Sequence, residues 1–281
     1  MSVTVCTSHA LDEPFKAAYA ELPLAHGVEM GFAGLDEGFD SEDQGRMSAW
    51  IPGDNAVQRL KTLESWQERR RSFRFLFPEQ HYGPAQEAQR LFTGKHVGTP
   101  IHLLIKVQAH PDTLLHPHLW SEASSWLREP VLNRIAFAVW MQGPVTDVRV
   151  VSSQVAGAQV HLVLLRHKAA ARQTVMELSV SPDLLQGKLP TIVDRFEATG
   201  SDGFIRVTGI WKEAVHAPRI EVYRGAMVHV QRDLNRDFAQ VYANAAKNWG
   251  TPQANESYQI AQAYLKACAM VEHFTVSSGC A

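Results

Sequence analysis

The chain has 281 residues, 45% of them hydrophobic, which is enough to bury the core of one large domain or two modest ones. Its net charge of −2, with both signs spread along the chain, excludes the basic stripe that a nucleic-acid surface needs. The three cysteines show no disulfide or zinc spacing, and no signal peptide or membrane span is visible, so we expect a cytoplasmic protein without a metal.

The first 55 residues are predicted to form a strand, a helix and a second strand. The strands are Val3–Val5 and Val28–Phe32, and the amphipathic stretch between them is Asp12–Glu21. The segment Gly34–Asp54 is acidic, contains glycine and lacks clear periodicity, which indicates a loop. Residues 1–55 therefore make one predicted unit, a βαβ pattern of the Rossmann type.

The next part of the chain alternates helices with strands. Helices are predicted at Ala56–Arg71, at Pro84–Thr93 and over most of Trp120–Met141. Strands are predicted at Ser72–Phe77 and Ile101–Val107. Together with the β-rich part that follows, these elements form the second predicted domain, residues 56–281.

From Gly143 onward the pattern becomes that of β-structure, interrupted by turn residues and closed by two helices. Several consecutive strands with few helices between them predict an open, largely antiparallel sheet, and hence an α+β fold. We expect His161 and Glu177 to mark one face of this sheet. The predicted strands are Val145–Ser152, Gln159–Arg166, Thr174–Ser179, Ile192–Ala198, Phe204–Thr208, Ile220–Arg224 and Ala226–Gln231, and the closing helices are Leu234–Asn248 and Asn255–His273.

The turn after the first strand raises the main question about function. A strand, a turn and a helix is the setting in which dinucleotide-binding proteins carry G-x-G-x-x-G. Here residues 6–11 read CTSHAL, without a glycine. Glycines allow backbone N–H groups to approach a pyrophosphate closely, and side chains at these positions obstruct that approach. The stretch is therefore interpreted as the remnant of a dinucleotide turn, and no cofactor is expected.

Three stretches follow the pattern of one known family: RFLFPEQHYGPAQEAQRLFTGKHVGTPIHLLIKVQ (74–108), WMQGPVTDVRVVSS (140–153) and RFEATGSDGFIRVTG (195–209). They resemble the linker helix, the entry into the sheet and a strand–turn–strand of the Gfo/Idh/MocA oxidoreductases. The resemblance covers roughly residues 55–275. It implies a Rossmann domain followed by a domain built on an open sheet, here with a truncated nucleotide-binding part, since only about fifty residues precede the linker helix.

Several residues that the resemblance assigns to the nicotinamide reaction are replaced in this chain. The family's Glu-Lys-Pro motif corresponds to Trp50-Ile51-Pro52, and its Asp-x-x-x-His pair corresponds to Glu129 and Asn133. Asparagine cannot relay a proton as histidine does. The acidic residue that holds the adenosine ribose corresponds to Gly34, with Asp36 two residues further on. The resemblance thus implies the family's pocket without its hydride-transfer machinery.

The segment 110–122, HPDTLLHPHLWSE, contains the candidate acid–base residues His116 and His118. In an extended segment, two residues separated by one proline lie on the same side. They predict general acid–base chemistry, or metal ligation together with Glu122; the alternative is a polar surface loop. Trp120 is a candidate wall of the substrate pocket, or a core residue.

Four further residues are candidates for the site. Glu129 is a candidate base, or a residue favoured by the macrodipole at a helix N-terminus. Asn133 and Arg134 are candidates for gripping a substrate carboxylate or hydroxyl, or form a solvated helix face. Arg166 is a candidate anion-binding residue, or part of a charged hairpin tip.

Three functions remain open on the sequence alone. The first is a cofactor-independent lyase, isomerase or hydratase acting on a small polar cyclic hydroxy or carbonyl compound. The second is a non-catalytic binding or partner subunit of a full-length oxidoreductase. The third is an NAD(P)-dependent oxidoreductase. The resemblance implies a homodimer through the open sheet in each case, and neither nucleic acid nor a membrane is an expected partner.

Overall fold

Two sheets and four helices make up the part of the chain that the computed structural model describes. Among the helices of this part, none combines the length and the apolar character that crossing a membrane requires. The described residues are 2–7, 29–34, 46–49, 56–68, 73–75, 83–109, 129–155, 158–169, 172–180, 192–208, 219–231 and 254–278.

The N-terminal sheet has four parallel strands in the order β2-β1-β3-β4. Its strands are β1 (Ser2–Thr7), β2 (Glu29–Gly34), β3 (Arg46–Ala49) and β4 (Phe73–Phe75). Helix α1 (Ala56–Glu68) lies between β3 and β4 along the chain. A parallel sheet with a helical crossover is consistent with a Rossmann-like unit, and the prediction that this unit is a remnant stays a prediction.

Two details of this sheet differ from the sequence prediction. The loop predicted over Gly34–Asp54 contains β3, whose four residues are too few to show a period in the sequence. They form a strand because their backbone pairs with that of β1, from Val3 opposite Arg46 to Cys6 opposite Ala49. In addition, β4 lies beyond residue 55, so the sheet takes a strand from the second predicted unit. The boundary at residue 55 itself stays a prediction.

The second sheet has eight strands in the order β12-β11-β10-β9-β5-β8-β7-β6. All neighbours are antiparallel except β5 and β8. This confirms the predicted open, largely antiparallel sheet. The strands are β5 (Pro100–Ala109), β6 (Val145–Val155), β7 (Ala158–His167), β8 (Gln173–Val180), β9 (Ile192–Gly200), β10 (Gly203–Thr208), β11 (Arg219–Arg224) and β12 (Met227–Gln231).

Alternation along the strands gives this sheet one buried face and one open face. In β7, Val163 and Leu165 are buried, whereas Leu162 between His161 and Val163 is 41% exposed. Successive side chains point to opposite sides of a strand, so the period of two in the sequence becomes a covered face and an uncovered face. We call the uncovered side the open face.

Three more helices cover the buried face: α2 (Gly83–Thr93), α3 (Glu129–Gln142) and α4 (Ala254–Ser278). Helix α2 packs on β9, β10 and β11, and α3 packs on β8 and α4. Helix α4 contacts β6 of the second sheet and also α1 and β4 of the N-terminal part. The predicted helices Asp12–Glu21 and Leu234–Asn248 lie outside the described residues.

The core of the second sheet is apolar and aromatic. Phe137 of α3 packs against Phe196 of β9 with ring centroids 4.9 Å apart, and both side chains are fully buried. Phe75 of β4 stacks on Tyr264 of α4 at 5.6 Å. The backbone N–H of Ala56, at the start of α1, donates to the Glu272 carboxylate on α4 at 3.3 Å. Helix α4 therefore ties the N-terminal sheet to the second sheet.

The turn between α2 and β5 provides a test of the fold. Gly98 has φ +83°, and a Cβ on it would lie 2.8 Å from the backbone nitrogen of Asp202. Neighbouring backbone bonds join this turn to the β9–β10 turn, because Ser201 N–H donates to Thr99 O and Asp202 N–H to Val97 O. We expect Gly98→Ala to lower the free energy of unfolding by about 1–2 kcal/mol in urea titrations.

The matched control is Gly83→Ala at the start of α2, where a Cβ meets nothing within 4 Å. This change should leave the free energy of unfolding within about 0.5 kcal/mol of the wild type. Equal effects of the two alanines would contradict the assigned role of the α2–β5 turn.

Candidate functional site

The order of the parallel strands predicts a crevice at one end of the N-terminal sheet. From β1 the chain moves to β2 on one side and then to β3 on the other side, so the winding reverses between β1 and β3. In open parallel sheets, ligands bind outside the carboxyl ends of the strands at such a reversal. The carboxyl ends here are Thr7 and Ala49. We call this place the switch-point crevice.

The sequence at the end of β1 affects whether a dinucleotide can bind in the switch-point crevice. The strand continues to Thr7, which pairs with Gly34 of β2, so Cys6 and Thr7 are strand residues. The sequence that follows, Ser8 to Leu11, contains no glycine. The strand order is thus the one around which dinucleotides bind, whereas the sequence after β1 lacks the glycines that allow the closest approach to a diphosphate. Residues 8–11, Asp36 and Trp50-Ile51-Pro52 lie outside the described residues.

Helix α3 carries three of the predicted site residues. Glu129 is its first residue, and Asn133 lies one turn further on. Arg134 is fully buried, so the solvated helix face considered for it is not found. A guanidinium is buried only where polar or charged groups compensate for lost hydration. Arg134 is therefore a fixed cation inside the protein, and its binding of substrate stays a prediction.

Arg166 lies away from α3. Its side chain is exposed on the open face, where its Nε is 3.9 Å from Asp147 Oδ2 of β6. The adjacent residues Leu165 and His167 are buried on the other face, on which α3 packs. The structure therefore places Arg134 and Arg166 on opposite sides of the second sheet. His116, His118 and Trp120 lie outside the described residues, and their roles stay predictions.

His161 and Glu177 were expected on one face, and this prediction is wrong. His161 is opposite Leu178, while Glu177 is opposite Leu162, so the two lie on different faces. Glu177 forms an ion pair with Lys106 on the open face, with Nζ and Oε1 2.6 Å apart. His161 is buried, and its Nδ1 lies 2.8 Å from Ser152 Oγ. Burial lowers the pKa of His161 to about 4, so its imidazole is neutral at pH 7.

A buried polar cluster at the end of α3 was missed in the sequence. Gln142 Nε2 donates to Thr174 Oγ1 at 3.0 Å and to Gln173 O at 2.9 Å. His167 lies 2.9 Å from Thr174 Oγ1 through Nε2 and 2.7 Å from Gly143 O through Nδ1. We call Gln142, Gly143, His167 and Thr174 the α3 corner. The sequence signal was the position of His167 in the buried register of β7.

Burial is the largest influence on His167 and lowers its pKa. The hydrogen bond to Gly143 O opposes this effect, and Arg172 adds to it. The same cause lowers the pKa of His102, which is half-buried on β5. Burial thus favours the neutral form of both imidazoles, and His167 acts as a hydrogen-bonding group.

The middle of the open face is an ion-pair network around Arg206. One guanidinium nitrogen lies 3.4 Å from Glu197 Oε2 and another lies 3.8 Å from Glu221 Oε2. Its Cζ is 5.6 Å from the ring centres of both Phe204 and Tyr223. Arg206 thus lies between two carboxylates on the neighbouring strands, so both signs are present in this network.

Metal binding finds no support in the part of the chain that the structure describes. Within it, no group of three or more His, Cys, Asp or Glu side chains is placed to hold an ion.

Comparison of the whole structure with solved structures gives extensive matches at low sequence identity. A dehydrogenase from Chromobacterium violaceum matches with a TM-score of 0.66 at 9% identity, over 99% of this chain and 96% of the other. An NAD binding oxidoreductase from Klebsiella pneumoniae matches with a TM-score of 0.66 at 10% identity, over 99% and 97%. This chain has the fold of these oxidoreductases.

One of the matching oxidoreductase structures contains bound ligands. Biliverdin reductase from Synechocystis, in complex with biliverdin and NADP+, matches with a TM-score of 0.60 at 11% identity over 98% of both chains. No protein-family model matches the sequence, and no curated protein matches it. Because the structural matches extend over nearly the full length of both chains, they lend no support to the predicted truncation.

Proposed function

We propose that this chain is an NAD(P)-dependent oxidoreductase of the Gfo/Idh/MocA type that binds its dinucleotide in the switch-point crevice. The observation that carries the proposal is the parallel strand order β2-β1-β3-β4, which creates the reversal at the carboxyl ends of β1 and β3. The oxidoreductase fold of the whole chain supports it. This choice replaces the cofactor-independent enzyme that the glycine-free turn favours on sequence grounds.

The roles of the chain's own residues follow from their placement. The strand ends at Thr7 and Ala49 border the place for the dinucleotide, which would supply the hydride chemistry when bound. Arg134 is a buried cation on α3 that suits a carboxylate or a polarised carbonyl of the substrate. Glu129, at the start of the same helix, is the candidate acid or base. The substrate class proposed is a small polar hydroxy or carbonyl compound.

Titration with NADH and NADPH tests the proposal. Energy transfer from tryptophan to the dihydronicotinamide and calorimetry should both report saturable binding, with a dissociation constant between about 1 μM and 1 mM. NAD+ or NADP+ should displace the reduced form if both occupy one crevice. Failure of all four nucleotides to bind at about 1 mM would overturn the proposal.

The cofactor-independent lyase, isomerase or hydratase remains the second candidate. The observation that favours it is the absence of glycine from residues 6–11, together with Trp50-Ile51-Pro52 in place of a lysine motif. Such an enzyme would abstract a proton next to a carbonyl group. In D₂O, NMR should then show deuterium entering a cyclic ketone without added nucleotide. The variant carrying His116→Ala and His118→Ala should lose that exchange. If the exchange persists in this variant, neither histidine takes part in the reaction.

The partner that we propose for the open face is a second copy of the chain. The charges around Arg206 are of both signs, so they suit neither a polyanion nor a polycation, but they suit a surface that carries both signs as well. Apolar side chains at the edge, Val151 and Leu162, are 62% and 41% exposed. Eight strands about 4.8 Å apart and about 20 Å long offer roughly 700 Å² per copy, within the range of a stable dimer.

Sedimentation measurements test this partner. The change Leu162→Lys should convert a dimer into a monomer, because a charge would be buried in the interface. Val57→Lys on α1 is the matched control, since Val57 is 58% exposed and lies away from the second sheet. A wild-type monomer at about 100 μM, or a Leu162→Lys dimer, would contradict the proposal. Co-purification of a larger oxidoreductase would instead favour the partner-subunit function.

A further inference from the structure

The α3 corner contains a chain of hydrogen bonds whose direction is fixed. The oxygen of Gly143 only accepts, so His167 Nδ1, at 2.7 Å, carries the proton. In the neutral imidazole, Nε2 is then the acceptor, and the Thr174 hydroxyl donates a hydrogen bond to it. Thr174 Oγ1 in turn accepts from Gln142 Nε2. Donation therefore runs from Gln142 through Thr174 and His167 to Gly143.

Backbone hydrogen bonds before and after the α3 corner also hold it in place. Gly143 has φ +89°, and its N–H donates to Val139 O at 2.7 Å, which closes the last turn of α3. Lys168 N–H, directly after His167, donates to Pro144 O at 2.8 Å. The end of α3 is thus bonded to β7 by a side chain and by the backbone, and to β8 through Thr174.

The hydrogen bonds of the α3 corner fix the rotation of α3 and its position along its axis, which the rest of the helix does not define. From Ile135 to Val139 the helix is apolar and buried, and apolar contacts do not define a rotation or a position along the axis. Gln142, His167 and Thr174 are 2%, 5% and 0% exposed, so their bonds act without competition from water. Because a helix moves as a rigid body, bonds at its end also set the place of its earlier residues.

We infer that Gln142, His167 and Thr174 are positioning residues, which hold α3 so that Arg134 and the other site residues of this helix meet the ligand. This inference rests on the proposed function, because it takes α3 to border the ligand site. None of the three residues is required to touch the ligand. Their loss should change ligand affinity by moving α3, beyond what loss of stability produces.

Thr174→Val tests the inference, since it keeps the shape of Thr174 but removes its hydroxyl. Thr174→Ser is the conservative rescue that restores the hydroxyl. Val163→Ala is the matched control: Val163 is fully buried on β7, but lies outside the α3 corner. Helix α3 packs on α4, which also contacts α1 and β4 of the N-terminal part, so a displacement of α3 is transmitted through α4 to the dinucleotide side. We therefore expect Thr174→Val to weaken NADH or NADPH binding at least about tenfold, Thr174→Ser to stay within about twofold, and Val163→Ala to keep wild-type affinity.

Amide hydrogen exchange and NMR make the test independent of the cofactor. In the free protein, Thr174→Val should speed exchange in residues 139–142 more than Val163→Ala does, and should change the ¹⁵N shift of His167 Nε2. Equal exchange in both variants, or unchanged NADPH affinity in Thr174→Val, would overturn the inference. If the wild type binds no nucleotide, the proposed function fails, while the exchange comparison still decides whether the corner holds α3.

Discussion

Arg134→Ala should lower the free energy of unfolding by about 3–5 kcal/mol, the largest single effect that we expect in this chain. Arg134 is among the largest fully buried side chains of the described residues and lies on α3, which is apolar from Ile135 to Val139. A buried guanidinium is balanced by polar or charged groups around it. Removing the cation leaves those groups without compensation and opens a cavity as well. Urea unfolding followed by circular dichroism measures the change.

Two variants separate the charge from the volume of Arg134. Arg134→Met fills much of the space but removes the charge, so its loss of stability should stay close to that of Arg134→Ala. Arg149→Ala is the matched control, because Arg149 is an exposed residue of β6 and its removal should cost less than about 0.5 kcal/mol. Similar unfolding curves for Arg134→Ala and Arg149→Ala would contradict the buried-cation assignment.

Acid should destabilise the protein in the range between pH 6.5 and pH 4. Burial lowers the pKa of His161 to about 4, below its ordinary value of 6.5. Between these values the unfolded chain binds a proton that the folded chain excludes, so stability is complete above pH 6.5 and falls as the pH decreases. The loss from His161 should reach about 2 kcal/mol by pH 4, after allowance for its residual contact with solvent.

Urea titrations at half-unit pH intervals measure this loss. His161→Asn keeps an acceptor near Ser152 but cannot gain the proton, so it should flatten the pH dependence in this range. His167 and His102, whose pKa values are also lowered, should account for part of the remaining slope. His229→Asn, at an exposed position of β12, is the control. An equal change of slope in both asparagine variants would contradict the assignment to His161.

The strands of the second sheet were predictable because the signal for them is local. In β8, Met176 and Leu178 alternate with Glu177 and Ser179, and such a period defines a strand wherever the partner lies. Turn glycines separate β9 from β10 and β11 from β12, so the ends were visible as well. The sequence was sufficient for an open sheet with a Rossmann-like unit before it.

Strand pairing between distant segments could not be predicted from the sequence. Strand β3 exists because Arg46–Ala49 lies next to β1, and four residues carry no period of their own. The faces of His161 and Glu177 depend on register, since a shift of one residue exchanges the two faces of a strand. Strand register likewise decides whether a polar residue belongs to a functional site, to the surface or to the core.

Local patterns in the amino-acid sequence by themselves determined most of the described elements and their order, and showed that residues 6–11 contain no glycine. Tertiary structure alone decided that Arg134 is buried, that Arg166 lies across the sheet from it, and that His167 meets Gln142 and Thr174 at the end of α3. Helices and strands are determined by residues that lie a few positions apart in the sequence. Burial and hydrogen bonding depend on distant segments, which meet only when the sheet and the helices pack.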